Sequence, residues 1–501
     1  MSATNKPVLL SDDQVRRFLT HGYLVLKPTL PRSFHEGVYE QLGPVIAKGN
    51  PGNNILPHIP QLQAVFDDPI VRGALTSVLG TGWIMHPSRY AHENTKSDGG
   101  PWHKDSYWGY RAMQRRVRHH RPWWVMVMYY PQDTPLEMGP TAVLPGRQAH
   151  LTRAEDDERG AASVTGEAGT CFMIHYDLWH RASPRVPGKA RYMLKFEFLR
   201  MEVPQGPTWD CRERGWRDPQ DDPPVFSHRA MWRDQWRWLT RNVNGDALPS
   251  DGNAGRWIDA LGSTDSMTRM RAADELSLRG RGASDAIAPL TTMLQDEFEP
   301  AALNAAYALA AIGAEAITAL RQALHGSHKH AALNAAHALA AMGTAAVPTL
   351  VDAVASDSNV TRMLAAYALG EINPTDNDTS RALARVAQDR DALVRLNAAE
   401  ALGWKREAAS IAIPALTERL RDEDTEVRFN AVISLGRLGP AAAEAVPVLT
   451  DCLLQDNRYI RGFAVEALHR VGTPEAIAAL LSHLKATRWC PFTTSDSPYY
   501  P

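Results

Sequence analysis

The sequence predicts a multidomain protein of mixed α and β class: a β-sandwich or barrel with a helical layer, followed by an all-helical repeat array. Three observations predict it. At 501 residues the chain is too long for one ordinary hydrophobic core. Through about Asn242 it carries short β-type runs rich in Trp, Tyr, Pro and His. From about Ser263 it repeats one Ala- and Leu-rich helical pattern at a near-constant period.

Helices come first. "SDDQVRRFLTHG" opens on Ser11, a residue suited to cap a helix, and stops at Gly22. "RSFHEGVYEQLGPVI" and "PIVRGALTSVLG" also read as helices. "GYLVLKP", "PWWVMVMYYP", "TAVLPG" and "RYMLKFEFL" are bounded by Pro and Gly, as strands tend to be. Helices followed by many short strands predict a sheet layer covered by helices on one side.

The repeats end at Gly280, Gly313, Gly343, Asn373, Arg406, Gly439 and Gly472, spaced 33, 30, 30, 33, 33 and 33 residues apart. Between these endpoints lies a second apolar helix, such as "AVPTLVDAV". About seven helix pairs are therefore expected, and the Gly or Asn ends suit a left-handed cap. One pair cannot bury its own apolar face, so the pairs must stack into a solenoid. Period and composition resemble HEAT repeats, in particular the short type of bilin-lyase-like proteins, over about Ser266 to Leu484. The expected domains are 1–245, including a Trp-rich connector, then 262–486, then an aromatic tail over 487–501. Trp232, Trp236 and Trp238 of the connector are expected to pack against the first repeat.

Composition narrows the function classes. The apolar fraction of 44% is that of a soluble globular chain. No apolar run reaches the ~20 residues that span a bilayer. The opening "MSATNKPVLLSDDQ" predicts no secretory leader. Four scattered cysteines fit no disulfide framework, which predicts a reducing, cytoplasmic setting. A net charge of −2 gives no argument for nucleic acid or membrane as a partner.

The chemistry is read from "GPWHKDSYWG". His103 and Asp105 stand two apart, so on a strand both reach the same side. Downstream, an apolar strand ends at His180, and Arg191 follows eleven residues later across a Pro/Gly loop. An arginine inside the apolar strand "ARYMLKF" requires a buried partner, and a carboxylate ligand suits its two-pronged donor geometry. Two histidines and a carboxylate leave three metal positions open, the ligand set of non-haem Fe(II) oxygenases. Those positions suit 2-oxoglutarate and O₂, with Arg191 on the far carboxylate of the co-substrate.

These blocks, in this order, resemble the phytanoyl-CoA dioxygenase (PhyH-like) family over roughly Leu10 to Arg200. "LSDDQVRRFLTHGYLVLKPTL" is similar to its first helix and strand, and "WHKD" to its HxD motif. "DTPLEMGPTAVLPGRQAH" is similar to its glycine–proline segment, and "LWHRASPRVPGKARYML" to its distal-histidine strand. The resemblance implies a double-stranded β-helix (jelly-roll, cupin-like) with flanking helices. It implies His103, Asp105 and His180 as iron ligands and catalytic centre, and Arg191 as 2-oxoglutarate anchor. Ser183 is carried over as a further co-substrate contact, although it falls three residues after the histidine where the family has two. Tyr129 and Tyr130 are candidates for a second contact. Succinate and CO₂ would be the co-products. The carboxylate at Asp105 favours hydroxylation over halogenation, because related halogenases carry a small residue there.

Trp102, Tyr107 and Trp108 flank the pair as core or as substrate wall. His175 competes with His180 as the distal ligand, while His92, His119, His120 and His150 are read as surface or packing residues. "RAMQRRVRHHRP" reads as a solvated basic face, with recognition of an anionic small-molecule substrate or docking onto the solenoid as alternatives. The repeats also suit a protein partner. Two rival functions remain: a HEAT scaffold with a structural or vestigial metal domain, and a zinc hydrolase using the same three ligands.

Overall fold

The computed structural model describes residues 6–486 apart from 96, 106–116, 118, 154–156, 187, 189, 220 and 243–253. The expected tail at 487–501 and the pair Tyr107 and Trp108 lie outside the described residues.

Two sheets form the N-terminal half. The larger has the order β1-β6-β3-β8-β2 and the smaller β5-β4-β7, with antiparallel pairing throughout. The strands are β1 (Tyr23–Leu26), β2 (Ile84–Asn94), β3 (Trp124–Tyr129), β4 (Thr141–Val143), β5 (Ala162–Val164), β6 (Cys171–His175), β7 (His180–Ala182) and β8 (Arg191–Leu199). Chain order and spatial order differ, so the strands cross between sheets as in a jelly-roll.

β8 shows how the sequence directs its two faces. Leu194, Phe196 and Phe198 point to the helical side, where Phe66 stacks on Phe196 at 4.2 Å between ring centroids. Arg191, Met193, Lys195 and Glu197 alternate with them and line a cavity between the sheets. The helical layer includes α1 (Asp12–His21), α2 (Arg32–Ala47) and the helix Pro69–Leu79. α1 carries a full capping box from Ser11 and Gln14, and ends at Gly22 in the left-handed conformation.

Among the described residues, fourteen helices from Ser266–Ser277 to Pro474–Ala486 form seven antiparallel pairs. Only Asn373 and Gly472 close their helices in the left-handed conformation. Gly313, Gly343 and Gly439 combine φ of 60–91° with ψ between −131° and −143°, which strongly favours glycine. The run Thr425–Gln455 has a mean hydropathy of 1.3 but is 72% buried as the sixth pair of this array.

A device on the repeat period ties each of four pairs internally. Arg269, Arg362, Arg395 and Arg428 each hold an aspartate 27 or 28 residues on through two parallel bonds, to Asp296, Asp389, Asp422 and Asp456. The Arg395–Asp422 pair is the most deeply buried of these. Arg395→Ala is expected to destabilise the repeats by about 2 kcal/mol, because buried Asp422 loses two parallel charged bonds and keeps only Arg419 and the Asp424 N–H. Arg381→Ala, at an exposed pair, should cost no more than about 0.5 kcal/mol. Urea titration followed by far-UV circular dichroism compares the two.

The first helix of each pair faces the N-terminal domain, which explains why several are apolar almost all round. The end of the basic run docks there rather than facing solvent. His120 stacks on His337 at 4.0 Å and bonds to the Tyr307 hydroxyl. His119 and Trp123 both bind the Glu371 carboxylate, and Arg121 donates to the Glu371 carbonyl. At the far end, His86 on β2 lies against Phe429, Tyr459 and Phe463. The connector helix Arg229–Thr240 lies against the first helices of the first two pairs, as expected, but Trp236 and Trp238 turn the other way. Trp236 packs against Trp209, Trp216 and Arg16, and Trp238 against Trp123, all in the N-terminal domain. The first repeats are instead held by polar groups at the start of that helix: Ser227 and Arg229 on Asp274, and His228 on Asn304.

Candidate metal centre

His103 adds a single antiparallel bridge to the edge of the small sheet. Its N–H donates to the His180 carbonyl at 3.0 Å, and the His180 N–H returns the bond to His103 at 3.0 Å. Residues so paired stand directly opposite one another with side chains on the same face. The two imidazoles therefore meet, their centroids 4.4 Å apart. Asp105 reaches the same point, and the ligand atoms of His103, Asp105 and His180 all lie within 4.8 Å of one another. No other group of three histidine, cysteine or acidic residues with this property occurs among the described residues.

The donor atoms suit a cation. Nδ1 of His103 lies 3.0 Å from the Pro101 carbonyl, and Nδ1 of His180 lies 3.0 Å from the Leu178 carbonyl. A carbonyl only accepts, so each Nδ1 carries the proton and each Nε2 keeps its lone pair. Asp105 Oδ2 is buried without a hydrogen bond, 3.4 Å from His180 Nε2. Burial, partly offset by Asp105, pushes the His180 pKa down to about 4, so its ring is neutral. A lone pair facing a carboxylate oxygen is repulsive unless a cation lies between them. A divalent ion fits these three residues.

Lys195 is a partner that sequence reasoning missed. Its ammonium donates to Asp105 Oδ1 at 2.6 Å, leaving Oδ2 for the metal side. Burial opposes ionisation of Asp105, but Lys195, then His180 and His103, outweigh it and hold the carboxyl well below its usual range. The signal was present in the alternation Arg191, Met193, Lys195, Glu197 on one strand face.

Arg191 is fully buried. It donates to the Gly139 carbonyl at 2.7 Å, and its Nε has no partner. Gly139 sits at φ 68°, and a Cβ there would come within 2.6 Å of the Ser183 carbonyl. This ties the glycine–proline segment to the arginine. Tyr130 lies beside the guanidinium, 5.9 Å from ring centre to Cζ, while Tyr129 points to the opposite face and bonds to His35.

Ser183 is not brought into the cavity. Three residues after His180 it has the opposite parity along the strand, and the position two after the histidine is Ala182, which lines the cavity without a hydroxyl. Thr141 on the neighbouring strand also lines the cavity. Trp102 does not line the cavity either: its indole donates to Glu158 and lies under Arg181. His175 stands apart from the three ligands and accepts from the Asp177 N–H. His150 bonds to His228 of the connector. His92, read as a packing residue, lines the cavity, and its Nε2 is buried without a partner.

The cavity holds about 470 Å³ and is walled by β2 and β8. Beyond the triad and Arg191 it presents Ser88, Tyr90, His92, Met193, Lys195 and Glu197. These polar groups are set in a lining whose exposed surface is mostly apolar.

Residues 45–193 match the family model for phytanoyl-CoA dioxygenase (PhyH), a family that uses Fe(II) and 2-oxoglutarate. HEAT-repeat models match 317–403, 347–424 and 413–489, and the PBS lyase HEAT-like repeat matches 301–326. No curated protein matches the chain. Among solved structures, HygX from Streptomyces hygroscopicus with nickel and 2-oxoglutarate bound is 12% identical at a TM-score of 0.31, covering 38% of this chain and 88% of its own. EctD from S. alaskensis with 2-oxoglutarate and 5-hydroxyectoine is 16% identical at 0.33, covering 45% and 88%. The carbocyclase SnoK from nogalamycin biosynthesis is 16% identical at 0.32, covering 39% and 87%. TM-scores this low add nothing to the family match. The chain carries a PhyH-family Fe/2-oxoglutarate oxygenase domain with an intact His103, Asp105 and His180 triad, followed by C-terminal HEAT repeats.

Proposed function

We propose that the protein is an Fe(II)- and 2-oxoglutarate-dependent oxygenase that hydroxylates a C–H bond of a small organic molecule. The observation that carries this reading is the triad with its unpartnered Asp105 Oδ2 and the buried Arg191 in the same cavity. His103 and His180 would hold the ion through Nε2 and Asp105 through Oδ2. When bound, iron and 2-oxoglutarate supply the oxidising power, with O₂ consumed and succinate and CO₂ released.

The chain's own residues do the rest. Arg191, fixed by Gly139, would take the far carboxylate of 2-oxoglutarate through its guanidinium fork. Lys195 holds Asp105 with one oxygen toward the metal. The mostly apolar lining, with a few fixed polar groups, would bind and orient the substrate. The solenoid supports this by packing Phe429, Tyr459 and Phe463 behind His86, on the strand that forms one cavity wall. Its first helices are engaged with the oxygenase domain, so a further protein partner would use the remaining faces. A zinc hydrolase has no need of Arg191, and a vestigial metal domain has no need of an intact triad.

Anaerobic reconstitution with Fe(II), followed by O₂ and 2-oxoglutarate, tests the reading through succinate release. Succinate should form in the wild type and not in His103→Ala. No succinate with any oxidisable substrate, together with unchanged iron content in His103→Ala, overturns it.

A further inference from the structure

Lys195 has more donors than its one described bond uses. An ammonium carries three N–H groups, and Asp105 Oδ1 takes one. The side chain lines the cavity and is largely buried. Two donors of a buried cation thus border the space left for substrate. His92 lies in the same wall, with Nε2 buried and unpartnered. Burial, reinforced by Lys195, pushes its pKa down to about 3, so it adds polarity without charge.

Glu197 could cancel the lysine, but its surroundings hold it neutral. Its Oε2 lies 3.3 Å from His86 Nδ1, which already accepts the Ser88 N–H at 2.8 Å. Two acceptors so placed are reconciled by a proton on the carboxyl. Burial, opposed by Lys195, pushes Glu197 up to about 8, in agreement. Arg181 is paired with Glu158, and Glu93 is exposed.

The charge of the loaded cavity then follows, on the oxygenase reading above. A divalent ion, Lys195 and Arg191 stand against Asp105 and the doubly charged 2-oxoglutarate. One positive charge is left over beside the largely buried Lys195, which favours the entry of a counter-charge. We propose that Lys195 is the anion-binding group of a substrate subsite, and that the substrate is a small molecule carrying one carboxylate or an equivalent monoanion. Lys195 lies beyond residues 45–193 matched by the family model.

The test uses the full chain loaded with Mn(II) and 2-oxoglutarate, with acetate as the probe and acetamide as its neutral counterpart. Proton relaxation of the probe methyl group by Mn(II) reports binding. Acetate should be relaxed and acetamide not. Lys195→Met and Lys195→Gln should weaken acetate binding at least about tenfold, the loss of a hydrogen bond to a charged group. Lys195→Arg should restore much of it. Circular dichroism verifies that each variant is folded, and Lys195→Gln preserves polarity where Lys195→Met does not. Equal relaxation of both probes, no relaxation by acetate in the loaded wild type, or acetate binding unchanged in Lys195→Met and Lys195→Gln overturns the proposal. A wild type that fails to take up Mn(II) and 2-oxoglutarate at all overturns the oxygenase reading, and this inference with it.

Discussion

His180→Ala is expected to lower Fe(II) affinity by more than about a hundredfold and to abolish 2-oxoglutarate turnover. Removing even a residue that only orients a metal ligand costs about ten- to a hundredfold, and His180 supplies a donor atom itself. The effect should be specific. His175, five residues earlier on the same stretch, is equally buried but lies outside the ligand cluster. His175→Ala should therefore retain iron binding within a few-fold, whatever it does to stability. Equilibrium dialysis with Fe(II) under argon compares the two variants. Equal loss in both would mean that the triad has been misassigned.

Glu371→Gln is expected to cost about 3 kcal/mol and to flatten the acid limb of the stability curve. Glu371 belongs to the solenoid, but its partners His119, Arg121 and Trp123 belong to the oxygenase domain. Burial works against its ionisation, yet His119, Arg121 and Trp123 outweigh it and hold the pKa down to about 2. The sign follows from that depression. Above the ordinary carboxylate value the full contribution is present, and it is lost as pH falls from about 4.5 toward 2. A shift of this size corresponds to about 3 kcal/mol. Thermal unfolding between pH 7 and pH 3 should show the wild type losing stability faster than Glu371→Gln. Parallel acid limbs would show that this contact does not couple the two halves.

The sequence made some features legible and hid others for physical reasons. The helix pairs were legible because stacking demands a periodic apolar pattern. His180 and Arg191 were legible because polar residues at fixed spacing in apolar strands demand a reason, and His103 and Asp105 because an HxD pair gains meaning beside them. Lys195 was hidden: a lysine on a strand reads as a solvated residue until the opposite wall is known. His92 was hidden in the same way. Ser183 was misread because a family position was followed across a one-residue shift, which reverses parity along the strand. The indoles of the connector were misplaced because a helix with aromatic residues does not say which neighbour it covers. The docking of His119 to Trp123 onto the repeats involves contacts more than two hundred residues apart in sequence, which no local pattern encodes.

Anaerobic titration of Fe(II) into protein saturated with 2-oxoglutarate tests the central claim most directly. A 2-oxo acid chelated to Fe(II) gives a visible charge-transfer band. The wild type is predicted to develop this band and saturate at a single iron per chain. Arg191→Met is predicted to need about ten- to a hundredfold more 2-oxoglutarate for the same band, because it loses hydrogen bonds to a charged group. Absence of the band in the wild type, or equal 2-oxoglutarate affinity in Arg191→Met, would contradict the assignment.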